Sequence, residues 1–179
     1  KIYSENWILR ASQLIFLNKT CYNGLFRFNK KGVFNSPYGT YEHPKICDKE
    51  NLMNVHKILQ NVEIETGDFE IIKIRISENS FVYFDPPYKP ISKTSSFTSY
   101  SMEGFNYTQQ IRLANFLWFI DSKKAKFMLS NSEPKNGDPN EDVFERLYEG
   151  FKLNTVYASR VINSKVDRRG KIKEIIVTN

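Results

Sequence analysis

Apolar residues recur every three or four positions in several segments of the chain, which is the spacing of an amphipathic helix. The first such segment covers residues 4–20, and the second covers residues 49–60 after a capping residue, Asp48. The same period runs through residues 111–118, and residues 141–151 are a shorter candidate. We therefore predict four helices.

Short apolar runs alternate with these helices in the second half of the chain, and they indicate strands. The predicted strands are "VEIE", "FVYF", "AKFMLS", "NTVYASRVI" and "IKEIIVT". Such alternation is typical of a mostly parallel α/β sheet, with the last two strands as an antiparallel pair across a basic loop. In the first half, "LFRF" and "VFN" flank "NKKG", which predicts an aromatic and basic β-hairpin.

Composition and charge narrow the class of protein without deciding its function. The chain has 179 residues, 40% of them hydrophobic, and a formal net charge of +6, so a polyanion is a plausible partner. Cys21 and Cys47 form no CxxC pair, and we expect no metal and free thiols in a reducing cytoplasm. No apolar run approaches the roughly 20 residues that cross a bilayer, so we expect no membrane contact.

The stretch "FVYFDPPYKP" ends a predicted strand in Asp85, Pro86, Pro87 and Tyr88. Ligands of open α/β sheets bind beyond the carboxyl ends of the strands. Proline has no backbone N–H, so this loop presents hydrogen-bond acceptors and almost no donors. The Asp85 carboxylate and the Pro86 carbonyl suit a planar amine, and Tyr88 can stack on its ring. A plain proline-rich turn at a strand end explains the four residues equally well.

Several longer segments carry a resemblance to a known family. "DPPY" after an apolar strand resembles the catalytic motif of amino-group methyltransferases that use S-adenosylmethionine. Upstream, "TCYNGLFRFNKKGVFNSPYGTYEHPKI" resembles the target-recognition hairpin of DNA adenine methyltransferases of the Dam and DpnM type, the D12 class. "YKPISKTSSFTSYSMEGF", "FMLSNS" and "RGKIKEIIVTN" resemble later segments of the same enzymes, in the same order.

The resemblance implies a fold and a set of catalytic residues. It implies a Rossmann-like methyltransferase sheet, with its C-terminal catalytic half in residues 62–179 and a helical and β-hairpin target-recognition unit in residues 1–61. Asp85, Pro86 and Tyr88 match the catalytic motif, in which the aspartate and the first proline hold the adenine N6 amine and the tyrosine stacks. "TGDFE" resembles the segment that contacts the cofactor, which implies binding roles for Asp68, Phe69 and Asp85.

The resemblance also implies duplex DNA as a partner and GATC as its recognition site. An arginine on a two-stranded ribbon can pair with guanine in the major groove, which agrees with the implied role of the hairpin. The hairpin positions that match DNA-binding residues are Tyr22, Asn23, Leu25, Arg27, Pro37 and Tyr41, with Lys30 and Lys31 placed to contact phosphates.

These expectations combine into a site-specific DNA adenine N6 methyltransferase that acts on a flipped base. We expect a bacterial, DNA-associated cytoplasmic monomer, with a cognate restriction endonuclease as a candidate partner. Two alternatives remain open at this point. The same acceptor loop suits cytosine N4, RNA or a protein glutamine, and the hairpin alone suits a non-catalytic DNA-binding module.

In the resembled family a glycine-rich motif that holds the methionine part of the cofactor precedes the hairpin, and no FxGxG-like stretch occurs in these 179 residues. We therefore expect the missing motif upstream in the complete protein, and we predict that the 179-residue chain alone binds S-adenosylmethionine weakly or not at all. Isothermal titration with the cofactor measures this. Binding in the micromolar range would contradict the prediction.

Overall fold

The computed structural model describes residues 5–29, 31–88, 105–159 and 171–179. The chain divides into two compact units, Lys1–Thr66 and Gly67–Asn179. Each unit has its own secondary structure, and they are described in turn.

The first unit contains two helices where the sequence predicts them. Helix α1 is Glu5–Thr20, and helix α2 is Lys49–Leu59. The predicted cap of α2 is confirmed, because the Asp48 side chain accepts a hydrogen bond from the Asn51 N–H at 3.2 Å. A 3₁₀ turn, Tyr22–Gly24, follows α1.

The segment between these helices folds back on itself, as predicted, but without the predicted strands. Its described residues form two isolated bridges, Cys21 with Tyr38 and Phe28 with Phe34, instead of continuous strands. The predicted strands of the hairpin are therefore wrong. Three phenylalanine rings hold the two arms together, with centroid distances of 5.1 Å from Phe26 to both Phe28 and Phe34.

The tip of this hairpin combines a backbone hydrogen bond, from the Asn29 N–H to the Val33 carbonyl, with bonds to a side chain. The Asn29 side-chain oxygen accepts hydrogen bonds from the N–H groups of Lys31 at 2.9 Å and Val33 at 3.1 Å. Asparagine side chains commonly compete with backbone pairing in this way. The side chain thus takes donors that a longer ladder would use, and Lys30 at the tip lies outside the described residues.

The second unit contains a four-stranded sheet with the strand order β1-β2-β4-β3. Its strands are β1 (Phe81–Phe84), β2 (Lys126–Ser132), β3 (Lys152–Ser159) and β4 (Lys171–Thr178). β1 and β2 are parallel, whereas β2–β4 and β3–β4 are antiparallel. The predicted α/β class and the antiparallel last pair are confirmed, and the expectation of a mostly parallel sheet is wrong for the described strands.

The position of β4 explains this difference. β4 lies between β2 and β3, where Ile175 and Val177 are buried, whereas Val156 and Tyr157 on β3 are exposed. The chain therefore places its more apolar last strand in the centre and leaves β3 at the edge. An alternation of strands and helices along a sequence does not reveal that the last strand lies between two earlier ones.

Helix α3, Tyr107–Ser122, supports the strand that carries the site. The Asn106 side chain caps it by accepting from the Gln109 N–H at 3.1 Å. One face of α3 is buried and joins the core of the unit, in which Phe127 and Leu129 of β2 also lie. The buried apolar residues of α3 are Leu113, Ala114, Phe116, Leu117 and Ile120.

Two further predictions are corrected. "VEIE" forms no strand, and the predicted helix over residues 141–151 is only Val143–Leu147, here α4. Gly150 has a φ of +93°, and a Cβ there would lie 2.9 Å from the indole of Trp118. Only glycine fits this conformation and this contact, so the chain leaves the helix before Gly150.

Three findings concern metals, membranes and thiols. Within the described residues, no three histidine, cysteine, aspartate or glutamate side chains are grouped so that they could hold a metal ion. No helix in that same part of the chain is long and apolar enough to span a membrane. Cys21 is buried and Cys47 is exposed, and both are free thiols, as predicted.

Tyr148 gives a prediction for the pH dependence of stability. It is fully buried, and burial raises the pKa of its hydroxyl, which donates to Gln110 Oε1 at 3.3 Å. The folded state therefore keeps the proton to a higher pH than the unfolded state does. The contribution of this hydroxyl to the free energy of unfolding is complete below about pH 10 and is lost as the pH rises. We expect the free energy of unfolding to fall by up to about 1.4 kcal/mol per pH unit above about pH 10.

Urea denaturation at several alkaline pH values measures this slope, and Tyr148→Phe should flatten it. Tyr157, which is exposed on β3, offers the matched control. Tyr157→Phe should leave the slope unchanged, and a slope as steep in Tyr148→Phe as in the wild type would contradict the assignment.

Candidate active site at the end of β1

The loop after β1 begins where a parallel pair of strands ends. Phe84 is paired with Leu129 in the register of β1 and β2, so the next residue, Asp85, comes beside Ser130. The side chain of Asp85 is exposed, and Pro86 is half-buried. The two prolines that follow Asp85 have no N–H to donate, so acceptors dominate this end of the sheet.

A cavity of about 490 Å³ opens at this end of β1. Its volume falls within the range of about 300–1,000 Å³ that is usual for small-molecule sites. The cavity brings together the residues with predicted catalytic and cofactor roles, except Tyr88. Its walls include Asp68, Phe69, Tyr83, Asp85, Pro86 and Phe105.

A buried serine connects the loop to the neighbouring strand. Ser130 on β2 is 4% exposed, and its hydroxyl lies 3.3 Å from Asp85 Oδ1 and 2.9 Å from the Tyr83 hydroxyl. Tyr88 also hydrogen-bonds to Ser130; burial raises the pKa of Tyr88, and this hydrogen bond opposes the rise. Sequence reasoning did not single out Ser130. The parallel register of β1 and β2 is the signal that reveals it.

Arg112 of α3 holds the opposite wall of the cavity. Its Nη1 and Nη2 lie 3.2 Å and 3.0 Å from the two oxygens of Asp68, and Nη2 lies 3.1 Å from Glu70 Oε1. The guanidinium also lies over the ring of Phe69, 5.1 Å from its centroid. The Glu70 backbone N–H, followed by Arg112, holds the pKa of Asp68 below its ordinary value.

Phe69 lies both at the cavity and against the core of its unit. Its ring lines the cavity and also packs against Phe105 and Phe116, at centroid distances of 6.3 Å and 5.7 Å. Asp68 caps the 3₁₀ helix Phe69–Arg75 by accepting from the Glu70 N–H at 3.0 Å. The aspartate is therefore fixed by a backbone hydrogen bond as well as by Arg112.

The predicted DNA-binding residues lie on the hairpin of the first unit. The Tyr22 N–H donates to the Pro37 carbonyl at 2.8 Å, which joins the two arms. Asn23 and Gly24 have φ values of 53° and 65°, so the chain turns sharply there. Except for the half-buried Asn23, the described residues of this set are exposed: Tyr22, Leu25, Arg27, Lys31, Pro37 and Tyr41.

The family of the chain follows from a comparison with known proteins. A family model described as "D12 class N6 adenine-specific DNA methyltransferase" matches residues 1–162. The chain belongs to this family. The resemblance inferred from the "DPPY" loop and the hairpin is thereby confirmed.

Individual relatives support the same assignment. The chain is 56% identical over 173 residues to "Type II methyltransferase M.MjaIII" of Methanocaldococcus jannaschii. The matched segment covers 96% of this chain and 58% of that protein. It is 44% identical over 172 residues to "Type II methyltransferase M1.LlaDCHI" of Lactococcus lactis subsp. cremoris, with coverages of 95% and 58%. A "DNA adenine methylase" of Vibrio cholerae is 34% identical over 178 residues, with coverages of 97% and 60%. The chain thus spans about three fifths of the length of these relatives.

The contacts of Arg112 generate a prediction about the charge of Asp68. In Arg112→Gln we expect the pKa of Asp68 to rise toward its ordinary value yet to stay below it, because the Glu70 N–H still donates. Carboxyl ¹³C NMR titration measures this pKa. Lys73→Gln is the matched control, since Lys73 has only a lesser, through-space effect on Asp68. An equal rise in both variants would contradict the specific role of Arg112.

Proposed function

We propose that the complete gene product is a site-specific DNA adenine N6 methyltransferase that uses S-adenosylmethionine. One observation carries this proposal within the family. The acceptor loop of Asp85 and Pro86 shares a single cavity with Asp68 and Phe69, at the carboxyl end of a strand in a parallel pair. An amine substrate and a nucleoside-type cofactor can therefore be held at one place.

The loop after β1 is suited to an exocyclic amine. Such an amine has two N–H donors, and the Asp85 carboxylate and the Pro86 carbonyl can each accept one. Its lone pair is delocalised into the ring, so it is a weak nucleophile. Two acceptors favour the localised, pyramidal form, and the carboxylate stabilises the positive charge that develops on nitrogen during attack.

Tyr88 and its surroundings are suited to the flat face of a base. The phenol ring is partly exposed, while its hydroxyl is tied to Ser130. A ring held at one end can stack on an extruded adenine without first losing much conformational freedom. The N6 amine of a paired adenine is not accessible in a duplex, so the proposed reaction includes base flipping.

The other wall of the cavity fits the cofactor by its chemistry. Phe69 offers an aromatic face for an adenine ring, and the carboxylates of Asp68 and Asp85 suit a positively charged sulfonium compound. S-adenosylmethionine supplies an electrophilic methyl group when it is bound. Asp68, Phe69 and Asp85 are the residues of this chain that we propose to contact it, in a Rossmann-like sheet.

We propose that residues 1–61 recognise DNA and that residues 62–179 carry catalysis. An exposed arginine, Arg27, lies between two phenylalanines that contact each other, so its backbone is held while its side chain remains available. Such an arginine can read guanine in the major groove, which supports GATC as the site. Tyr22, Asn23, Leu25, Pro37 and Tyr41 complete the proposed contacts to bases, and Lys30 and Lys31 those to phosphates.

The relatives named as type II methyltransferases support a place in a restriction-modification system, with a cognate endonuclease as partner. A solitary methylase is the alternative, which the name of the Vibrio cholerae relative suggests. In either case we propose a DNA-associated monomer in the cytoplasm.

Substitution of Asp85 tests the proposed chemistry. In the complete gene product, Asp85→Ala should lower methyl transfer to a GATC duplex by at least about 100-fold, since the carboxylate acts mainly as charge develops. Transfer of a tritiated methyl group measures this. Asp138→Ala, an aspartate in an exposed loop, is the control and should retain activity.

DNA binding by the same variants separates catalysis from recognition. Asp85→Ala should still shift a GATC duplex in preference to a scrambled one. A wild-type protein that shifts GATC but transfers no methyl group would be a DNA-binding module instead. Full activity in Asp85→Ala would contradict the proposed catalytic role of the Asp85 carboxylate.

A further inference from the structure

Ser130 is the point where three side chains of the candidate site meet. Its hydroxyl lies 3.3 Å from Asp85 Oδ1 and 2.9 Å from the Tyr83 hydroxyl, and it also hydrogen-bonds to Tyr88. Ser130 is buried on β2, which pairs with β1 on one side and with β4 on the other. Its position is thus fixed by the sheet, whereas Asp85 and Tyr88 belong to a loop.

The hydrogen-bonding capacity of the four groups determines the direction of each bond. A carboxylate can only accept, so the single proton of the Ser130 hydroxyl is donated to Asp85. The serine oxygen can then accept, and the Tyr83 hydroxyl at 2.9 Å is placed to donate to it. The serine proton is thus directed to Asp85, and its oxygen is held by Tyr83.

The consequence for Asp85 is an asymmetric carboxylate. Oδ1 is held by Ser130, while Oδ2 accepts no hydrogen bond from any described residue. One oxygen is therefore anchored to the sheet, and the other is left to face an N–H donor. Tyr83 on β1 is held by the same hydroxyl, so the anchored oxygen of Asp85 is referred to both paired strands.

We propose that Ser130 is a positioning residue, which holds one oxygen of Asp85 against the sheet so that the other oxygen faces the N–H donor of an aromatic amine. This inference rests on the proposed methyltransferase function. Ser130 itself has no contact with the substrate in this scheme. Its removal should therefore affect the rate of methyl transfer more than the binding of DNA.

The test compares three variants of the complete gene product. Ser130→Ala removes the hydroxyl, and Ser130→Thr keeps it. Ser80→Ala makes the same change as the first at the other end of β1, where Ser80 Oγ accepts from the Ser77 N–H at 3.0 Å. We expect Ser130→Ala to lower kcat for methyl transfer about tenfold, the loss of about one hydrogen bond, with KM for DNA nearly unchanged. Ser130→Thr should recover most of the rate, and Ser80→Ala should match the wild type.

A second measurement examines the hydrogen bonds independently of methyl transfer. With ¹³C-labelled tyrosine, the ring Cζ resonances of Tyr83 and Tyr88 should shift in Ser130→Ala and stay in place in Ser80→Ala. Unshifted resonances in Ser130→Ala would overturn the network itself. Thermal melting of each variant shows whether it is folded.

The remaining outcomes separate this inference from the function on which it rests. An active wild type with an equally active Ser130→Ala overturns the role of Ser130 and leaves the proposed function intact. The role of Ser130 is also overturned if the loss of rate merely follows a loss of folded protein. The same holds if Ser130→Thr is folded but as slow as Ser130→Ala. A wild type without methyl transfer, although the tyrosine resonances shift as expected, refutes the proposed function, and the positioning role fails with it.

Discussion

The parallel register of β1 and β2 is the constraint on which the candidate site depends. It brings the first residue after β1 beside a buried hydroxyl of β2, and so gives an exposed carboxylate a fixed anchor. Behind both strands, α3 packs its apolar face into the core that contains Phe127 and Leu129. Because interiors are close-packed, this core leaves β2 little freedom to move. The chemistry proposed for Asp85 thus relies on burial several residues away.

α3 also acts on the far wall of the cavity. Its half-buried Arg112 reaches Asp68 and Glu70 and covers the ring of Phe69, while its apolar face is buried in the core. One helix therefore supports the strand that carries the acceptor loop and also the segment with Phe69. Exposed ion pairs add little stability by themselves, so the value of Arg112 is in fixing geometry rather than in strengthening the fold.

The sequence allowed the local elements to be predicted where their pattern is strong. The helical period gave α1, α2 and α3, and the run "FVYF" followed by Asp85 and two prolines located the acceptor loop. The failures have local causes as well. The Asn29 side chain accepts from the Val33 N–H, which a regular hairpin ladder would use, and Gly150, with a positive φ against Trp118, keeps the chain after Leu147 from continuing as a helix. The place of β4 in the sheet depends on which strand is most buried, and this is a property of the whole fold.

The positions of Ser130 and Arg112 could not be predicted in the same way. Ser130 is separated from Asp85 by 45 residues, and Arg112 from Asp68 by 44. No periodicity links positions so far apart, because only the sheet register and the packing of α3 bring them together. A motif such as "DPPY" identifies the groups that can meet a substrate, but their orientation comes from partners elsewhere in the chain. An acceptor loop without a buried hydroxyl beside it would offer the same atoms with less precise geometry, and transition-state stabilisation depends strongly on that geometry.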